Sequence, residues 1–233
     1  MDKSKKISIK PFLNKKLIPE CSDSDGKDLY PLYLQITYNR KNTQIRSKYG
    51  MYYANLDHPE VKNILLFECP LAEKFVRYEI NNTKKEYSLA GFGGRYEVYA
   101  TSIAIVIGDY LKEKLKFELK RTNSPFYDIL NFKNKRKPFE IFYNASLLLF
   151  EDLDKKISKE FKQEISLYQL YKDFEPVILN KYNFSTIIDW IYGDYKQQFE
   201  HKLRRILKNN SKVDETIEFI DQLIKERLLT IKK

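Results

Sequence analysis

Between Tyr30 and Gly50 apolar and polar positions alternate with a period of two. Leu32, Leu34, Ile36 and Tyr38 interleave with Tyr33, Gln35 and Thr37. Past the polar segment Asn39-Arg40-Lys41-Asn42, the residues Thr43, Ile45, Ser47 and Tyr49 interleave with Gln44, Arg46 and Lys48. This is the pattern of two half-buried strands joined by a turn. Such a hairpin buries one face and offers Gln, Thr, Arg and Lys side chains on the other. Upstream, Ile7, Ile9 and Pro11-Phe12 mark a first strand, and residues 21–26 read as a polar loop. Together these pieces predict an antiparallel three-stranded sheet within residues 1–56.

Beyond Asp57-His58-Pro59 the period becomes helical and stays so. Asp57 is the expected N-cap, with Pro59 in the first turn, and Pro70 is expected to end or kink that helix. After Tyr87–Gly94, apolar residues at three- and four-residue spacing predict one long helix over residues 95–121. Ser124-Pro125 predicts a short helix. Another should follow, burying Phe139, Phe142, Leu147, Leu149, Phe150 and Leu153. Further helices are expected near 166–182, 186–208 and 212–230, the last two capped by Ser185 and Ser211. The fold class expected is therefore α+β: a sheet module over residues 1–56 and a mainly α-helical body over residues 57–233.

Charge sharpens this picture. The 233-residue chain has a formal net charge of +10, unevenly placed. Residues 1–50 carry 11 Lys/Arg against 5 Asp/Glu, and residues 112–137 carry 9 against 3, whereas residues 138–233 balance at 16 against 16. Two separate basic blocks attract polyanions more effectively than a diffuse excess does. The apolar runs are too short and too often broken by Lys or Glu to span a bilayer, so no membrane association is expected. The first residues lack the apolar core of a signal peptide, and Cys21 and Cys69 stand alone without metal-ligand spacing. A reduced, cytoplasmic setting is the resulting expectation.

Catalytic chemistry finds little support. Gly91-Phe92-Gly93-Gly94 precedes a helix but matches neither phosphate-binding fingerprint, which favours a sharp loop. His58 sits at a helix start, and His201-Lys202-Leu203-Arg204 reads as a solvated basic helix face. Acidic groups such as Glu151-Asp152-Asp154 and Asp214-Glu215 suit ion pairs between helix neighbours better than acid–base work. No catalytic residue, metal-ligand set or cofactor motif emerges, and the reading favours a protein that is not an enzyme.

The basic blocks suggest a nucleic-acid surface instead. A small sheet can lay one face in the major groove, where side chains meet base edges. Arg46 has the geometry for a bidentate guanine contact, while Gln35, Thr37 and Gln44 share its polar face. Arg40, Lys41 and Lys48 suit phosphate, and Lys10 would extend the footprint. The second block, ending in Lys133, Lys135, Arg136 and Lys137, would add backbone contacts.

The order Ile7-Ser8-Ile9-Lys10, Asp25-Gly26, Tyr30–Thr37, Arg40-Lys41 and Ile45-Arg46-Ser47 leading to Gly50 resembles the arm-type DNA-binding domain that begins many tyrosine recombinases (integrases) of Bacteroidetes mobile elements. The resemblance covers about the first sixty residues. It implies a three-stranded sheet that binds arm-site DNA, followed by a helical domain. Two features depart from the family. Met51-Tyr52-Tyr53 stands where a Trp commonly follows the third strand. The catalytic set of Arg, His-x-x-Arg and a C-terminal Tyr is not assembled: His201 and Arg204 have the spacing, but the last tyrosine is Tyr195. The expected function is a non-catalytic DNA-binding protein of a mobile element or its regulation, with duplex DNA as partner and homo-oligomers or recombination-complex proteins as further partners. Two alternatives are a helical protein–protein interaction protein with a purely structural sheet, and a nucleic-acid enzyme with an unrecognised carboxylate site.

Overall fold

The hairpin turns in two residues, not four. In the computed structural model, strands β1 (Ile7–Leu13), β2 (Tyr30–Tyr38) and β3 (Lys41–Arg46) form an antiparallel sheet in the order β1-β2-β3. Asn39 and Arg40 alone connect β2 to β3, with φ of 49° and 63°. A type I′ turn requires positive φ at both central residues, and Asn is among the side chains that tolerate it best. A short β4 (Tyr52–Tyr53) pairs with the start of β2. The structure describes residues 6–19, 22, 26–83, 86–121, 138–150, 152–175, 184–208 and 210–230. The expected helix at Ser124-Pro125 lies outside them.

The chain forms two compact units. The first comprises Met1–Ala100 and Ile178–Gly193. In it the sheet's inner face, carrying Leu34, Ile36 and Ile45, packs with Leu71, Ala72, Phe75 and Val76 of α1 (Pro59–Asn82). Phe92 and Tyr96 of α2 (Phe92–Tyr99) and Ile188 of α7 (Ile187–Tyr192) complete this core. Leu32 packs separately with Tyr53, Val61 and Ile64. Since a fully buried aliphatic side chain contributes about 1.5–3 kcal/mol, the sheet and helices stabilise each other. The expected division at residues 56 and 57 marks the change from strand to helix, whereas the unit holding the sheet runs on to Ala100 and takes in residues 178–193.

Local chemistry revises several helix boundaries. His58, not Asp57, caps α1: its Nδ1 accepts from the Glu60 N–H at 3.3 Å, with Pro59 at the first helical position. Pro70 lies inside α1 without ending it. Pro70 has no N–H to donate to the Leu66 carbonyl one turn earlier, and Leu66 is 75% exposed, so water can reach that turn. The helix expected over residues 95–121 is two helices, α2 and α3 (Ile103–Arg121), interrupted at Ala100–Ser102. The break falls where the chain passes from the first unit to the second.

The second unit comprises Thr101–Val177 and Asp194–Lys233. In it α3 packs on α4 (Phe139–Leu149), α6 (Lys159–Phe174) and α9 (Asn210–Leu229). A short α5 (Leu153–Lys156) and α8 (Tyr195–Ile206) complete its helices among the described residues. The helix expected near 186–208 is divided between α7, in the first unit, and α8. Its cap is Thr186, which forms a capping box with Asp189; Ser185 does not serve. α4 buries Phe139 but leaves Leu147, Leu148 and Leu149 exposed, contrary to the expected burial of Leu147 and Leu149. Buried Glu118 of α3 accepts from Ser158 Oγ at 2.7 Å and from Arg121 at 2.7 Å, and Ser158 in turn caps α6. Burial alone would raise the Glu118 carboxyl, but these hydrogen bonds outweigh it and hold the group below the usual range. No helix among the described residues is long and apolar enough to cross a membrane.

The bend between β3 and β4 has room only for glycine at position 50. A β-carbon there would lie 2.7 Å from Leu32 Cδ2 and 2.8 Å from Ser47 Oγ. Gly50→Ala is expected to lower unfolding stability by about 1–3 kcal/mol, measured by urea denaturation.

Candidate nucleic-acid interface

Strand register arranges the outer face of the sheet in three rows. Phe12 lies opposite Tyr33 and Tyr33 opposite Arg46; Lys10, Gln35 and Gln44 form the next row; Ser8, Thr37 and Asn42 form the third. Residues directly opposite share a face of an antiparallel pair, with Cβ atoms about 4.5–5.5 Å apart. Of the intervening residues, Ile7, Ile9, Leu34, Ile36, Tyr38 and Ile45 pack into the core with the helices. On the outer face Lys10, Asn42, Gln44 and Arg46 are exposed and the other five side chains half-buried. The rows contain Lys10 and Arg46 and no acidic side chain.

One end of this face is aromatic. The Phe12 and Tyr33 rings pack with centroids 5.7 Å apart. The Arg46 guanidinium lies over the Tyr52 ring, 4.9 Å from its centroid. Arg40 and Lys41 stand exposed at the hairpin tip. Lys41 is opposite Tyr38, which gives it the parity of the inner face rather than of the rows.

Lys48 is placed differently. Its N–H donates to Glu68 Oε1 at 2.7 Å and its Nζ to the Glu97 carbonyl on α2, which turns it away from the open rows. Glu68, on α1, is fully buried and also accepts from Ser47 Oγ; that same oxygen accepts from the Gly50 N–H at 2.7 Å. Leu32 holds both sides of the bend, accepting from the Ser47 N–H at 2.8 Å and donating to the Met51 carbonyl at 3.2 Å. Tyr49, inside the bend, packs its ring against Phe67 and Phe184 and donates its hydroxyl to the Ala100 carbonyl. Burial pushes the Glu68 carboxyl above its ordinary value, and the hydrogen bonds from Ser47 and the Lys48 N–H offset only part of this.

The second basic block differs from the sheet. In its described part Lys112 pairs with Asp109, Lys114 with Glu160 and Glu164, Lys116 with Glu113, and Arg121 with Glu118. Lys133, Lys135, Arg136 and Lys137 lie outside the described residues. By contrast Lys10, Arg40, Lys41 and Arg46 enter no ion pair among the described residues. Gln35, Thr37 and Gln44 likewise leave their side chains unengaged there.

The other sequence candidates are absorbed locally. The start of α2 is covered by Arg95, which bonds the Ala90 carbonyl and Glu79. Gly93 serves close packing, since a β-carbon there would lie 3.2 Å from Ile45 Cγ2. His201 is exposed on α8, and Arg204 is held between Glu200 and Asp214. Asp152 and Asp154 pair with Lys155 and Lys162. Among the described residues no three His, Cys, Asp or Glu side chains converge.

Ser8, Phe12, Asn42 and Tyr52 join the outer face without having been singled out in the sequence. Period-two parity puts Asn42 on the face of Gln44, but only the two-residue turn moves it out of the loop. Tyr52 has no such signal. No protein-family model, curated protein or solved structure matches the chain.

The raised Glu68 carboxyl fixes the sign of a pH effect. The folded state holds this proton more tightly than the unfolded chain, so the Glu68 contribution is most favourable at low pH. It declines as pH rises from the unfolded value of 4.5 through the folded one. Glu68→Gln cannot ionise. The stability of the wild-type chain relative to this variant is therefore expected to fall as pH rises above the unfolded value of 4.5, measured by parallel urea titrations.

Proposed function

We propose that the chain is a non-catalytic protein that binds duplex DNA with a sequence preference, laying the outer face of its sheet in the major groove. The observation that carries this reading is the segregation of charge. Lys10, Arg40, Lys41 and Arg46, at the sheet and hairpin tip, enter no ion pair among the described residues, while Lys112, Lys114, Lys116 and Arg121 of α3 are matched with carboxylates. Three strands spaced about 4.8 Å apart make a surface suited to a groove about 12 Å wide. Arg46 takes a guanine edge, Gln35 and Gln44 suit adenine, and Thr37 contacts either. Lys10, Arg40 and Lys41 serve the phosphates and set the register. The likeness of residues 7–50 to the arm-type domains of tyrosine recombinases supports the same docking mode and a role in a mobile element or its regulation.

A protein-interaction role has an observation of its own. On α4, Ile141, Leu148 and Leu149 are 50%, 86% and 59% exposed. An apolar helix face of this kind suits a protein partner or a second copy of the chain.

Removing residues 1–56 would not test DNA binding cleanly, because it takes Leu32, Leu34, Ile36 and Ile45 out of the core. Point variants on the outer face are suitable. Fluorescence anisotropy with a random-sequence duplex is expected to show affinity falling steeply with salt. Lys10→Ala should reduce the slope of log affinity against log salt by about 1. Arg46→Ala should weaken binding to a selected duplex by about tenfold. Equal affinity for the wild type and both variants, with unchanged circular dichroism, would contradict the proposal.

A further inference from the structure

We infer that the row Phe12–Tyr33–Arg46, completed by Tyr52, is a composite reader of a guanine with a thymine in the adjacent base pair, and that Tyr52 is its positioning residue. The inference rests on the duplex-binding reading above and goes beyond it, naming the base step recognised and the residue that sets the preference. Its basis is the juxtaposition of an unpaired guanidinium and two aromatic elements on one exposed row.

Arg46 is exposed and makes no ion pair among the described residues, yet its guanidinium lies over the Tyr52 ring at 4.9 Å. A free arginine side chain spreads over many rotamers, and ordering it costs conformational entropy. Holding the cation over a ring face engages no carboxylate and leaves its N–H edges available. Those edges are what meet O6 and N7 of guanine in a bidentate contact. The aromatic ring therefore takes the place of the carboxylate that usually holds an arginine. It orders the fork without consuming its donors.

Tyr52 reaches this position through its pairing with Pro31, two residues before Tyr33 on β2, so it has the parity of the outer face. The bend that separates it from Arg46 is fixed by the Glu68–Ser47–Gly50 hydrogen bonds. On the other side of Arg46 in the same row lies the Phe12–Tyr33 pair. This apolar surface beside a guanine-reading fork matches the C5 methyl of thymine, which the major groove presents and which aromatic side chains contact. The neighbouring row of Lys10, Gln35 and Gln44 has no ring, which confines the methyl contact to the Arg46 end.

The test uses the full chain and a pool of 20-bp duplexes with randomised centres. Wild-type protein is expected to recover duplexes sharing a guanine beside a thymine. In a recovered duplex, 7-deazaguanine at that guanine removes N7 and should weaken wild-type binding by about tenfold. Uracil at the thymine removes the methyl and should weaken it by about threefold. Tyr52→Leu should abolish most of the 7-deazaguanine penalty while leaving the salt dependence unchanged, and Tyr52→Phe, which keeps the ring, should restore it. Phe12→Ala should abolish the uracil penalty alone. A full 7-deazaguanine penalty in Tyr52→Leu, or recovered duplexes without a shared guanine, would overturn the inference while leaving duplex binding standing. Failure of the wild-type chain to retain any of the pool would overturn the duplex-binding reading itself.

Discussion

A single buried carboxylate ties the sheet to its first helix. Glu68 projects from the middle of α1 into the bend that follows β3, where it takes the Ser47 hydroxyl and the Lys48 N–H as donors. Burying a carboxylate is costly unless its oxygens are satisfied, and donors left without it would be stranded in turn. This mutual dependence fixes where the chain leaves β3. It also fixes where β4 begins, and so the distance between Arg46 and Tyr52. Gly50 and Leu32 complete the constraint, one by having no side chain and the other by bonding both ends of the bend.

With the bend fixed, the two faces of the sheet acquire different roles. The inner face supplies Leu34, Ile36 and Ile45 to a core shared with three helices, so the sheet is not a detachable reading head. The outer face keeps its cations and amides out of internal pairs. Lys48 shows how narrow the separation is. It alternates correctly with Gln44 and Arg46 along the chain, yet it lies two positions beyond the last residue of β3, and the clamp turns it toward α2. A cation joins the outer rows of the sheet only when the backbone that carries it is still part of the strand.

The second basic block teaches a related lesson about charge. Counted along the sequence, residues 112–137 are as basic as residues 1–50. In the folded unit Lys114 meets Glu160 and Glu164, which lie some fifty positions later in the chain. Surface pairs of this sort contribute about 1 kcal/mol or less to stability. They still neutralise the local field that would attract a phosphate backbone.

What the sequence determined by itself was parity and class: which residues of the hairpin share a face, and that helices follow the sheet. Period-two alternation carries parity because side chains on a strand point to opposite faces in turn, whatever the strand pairs with. A connection of four residues in place of the observed two would move the strands by two positions and leave every side chain on its face. It would set Arg46, not Gln44, opposite Gln35. Parity was therefore legible and the rows were not. Tertiary structure alone decided the rows, the placing of Arg46 over Tyr52, the capture of Lys48 and the ion pairs of Lys112, Lys114, Lys116 and Arg121 on α3. Each of these depends on groups brought together by burial and hydrogen bonding across the fold, and no local pattern in the chain encodes such meetings.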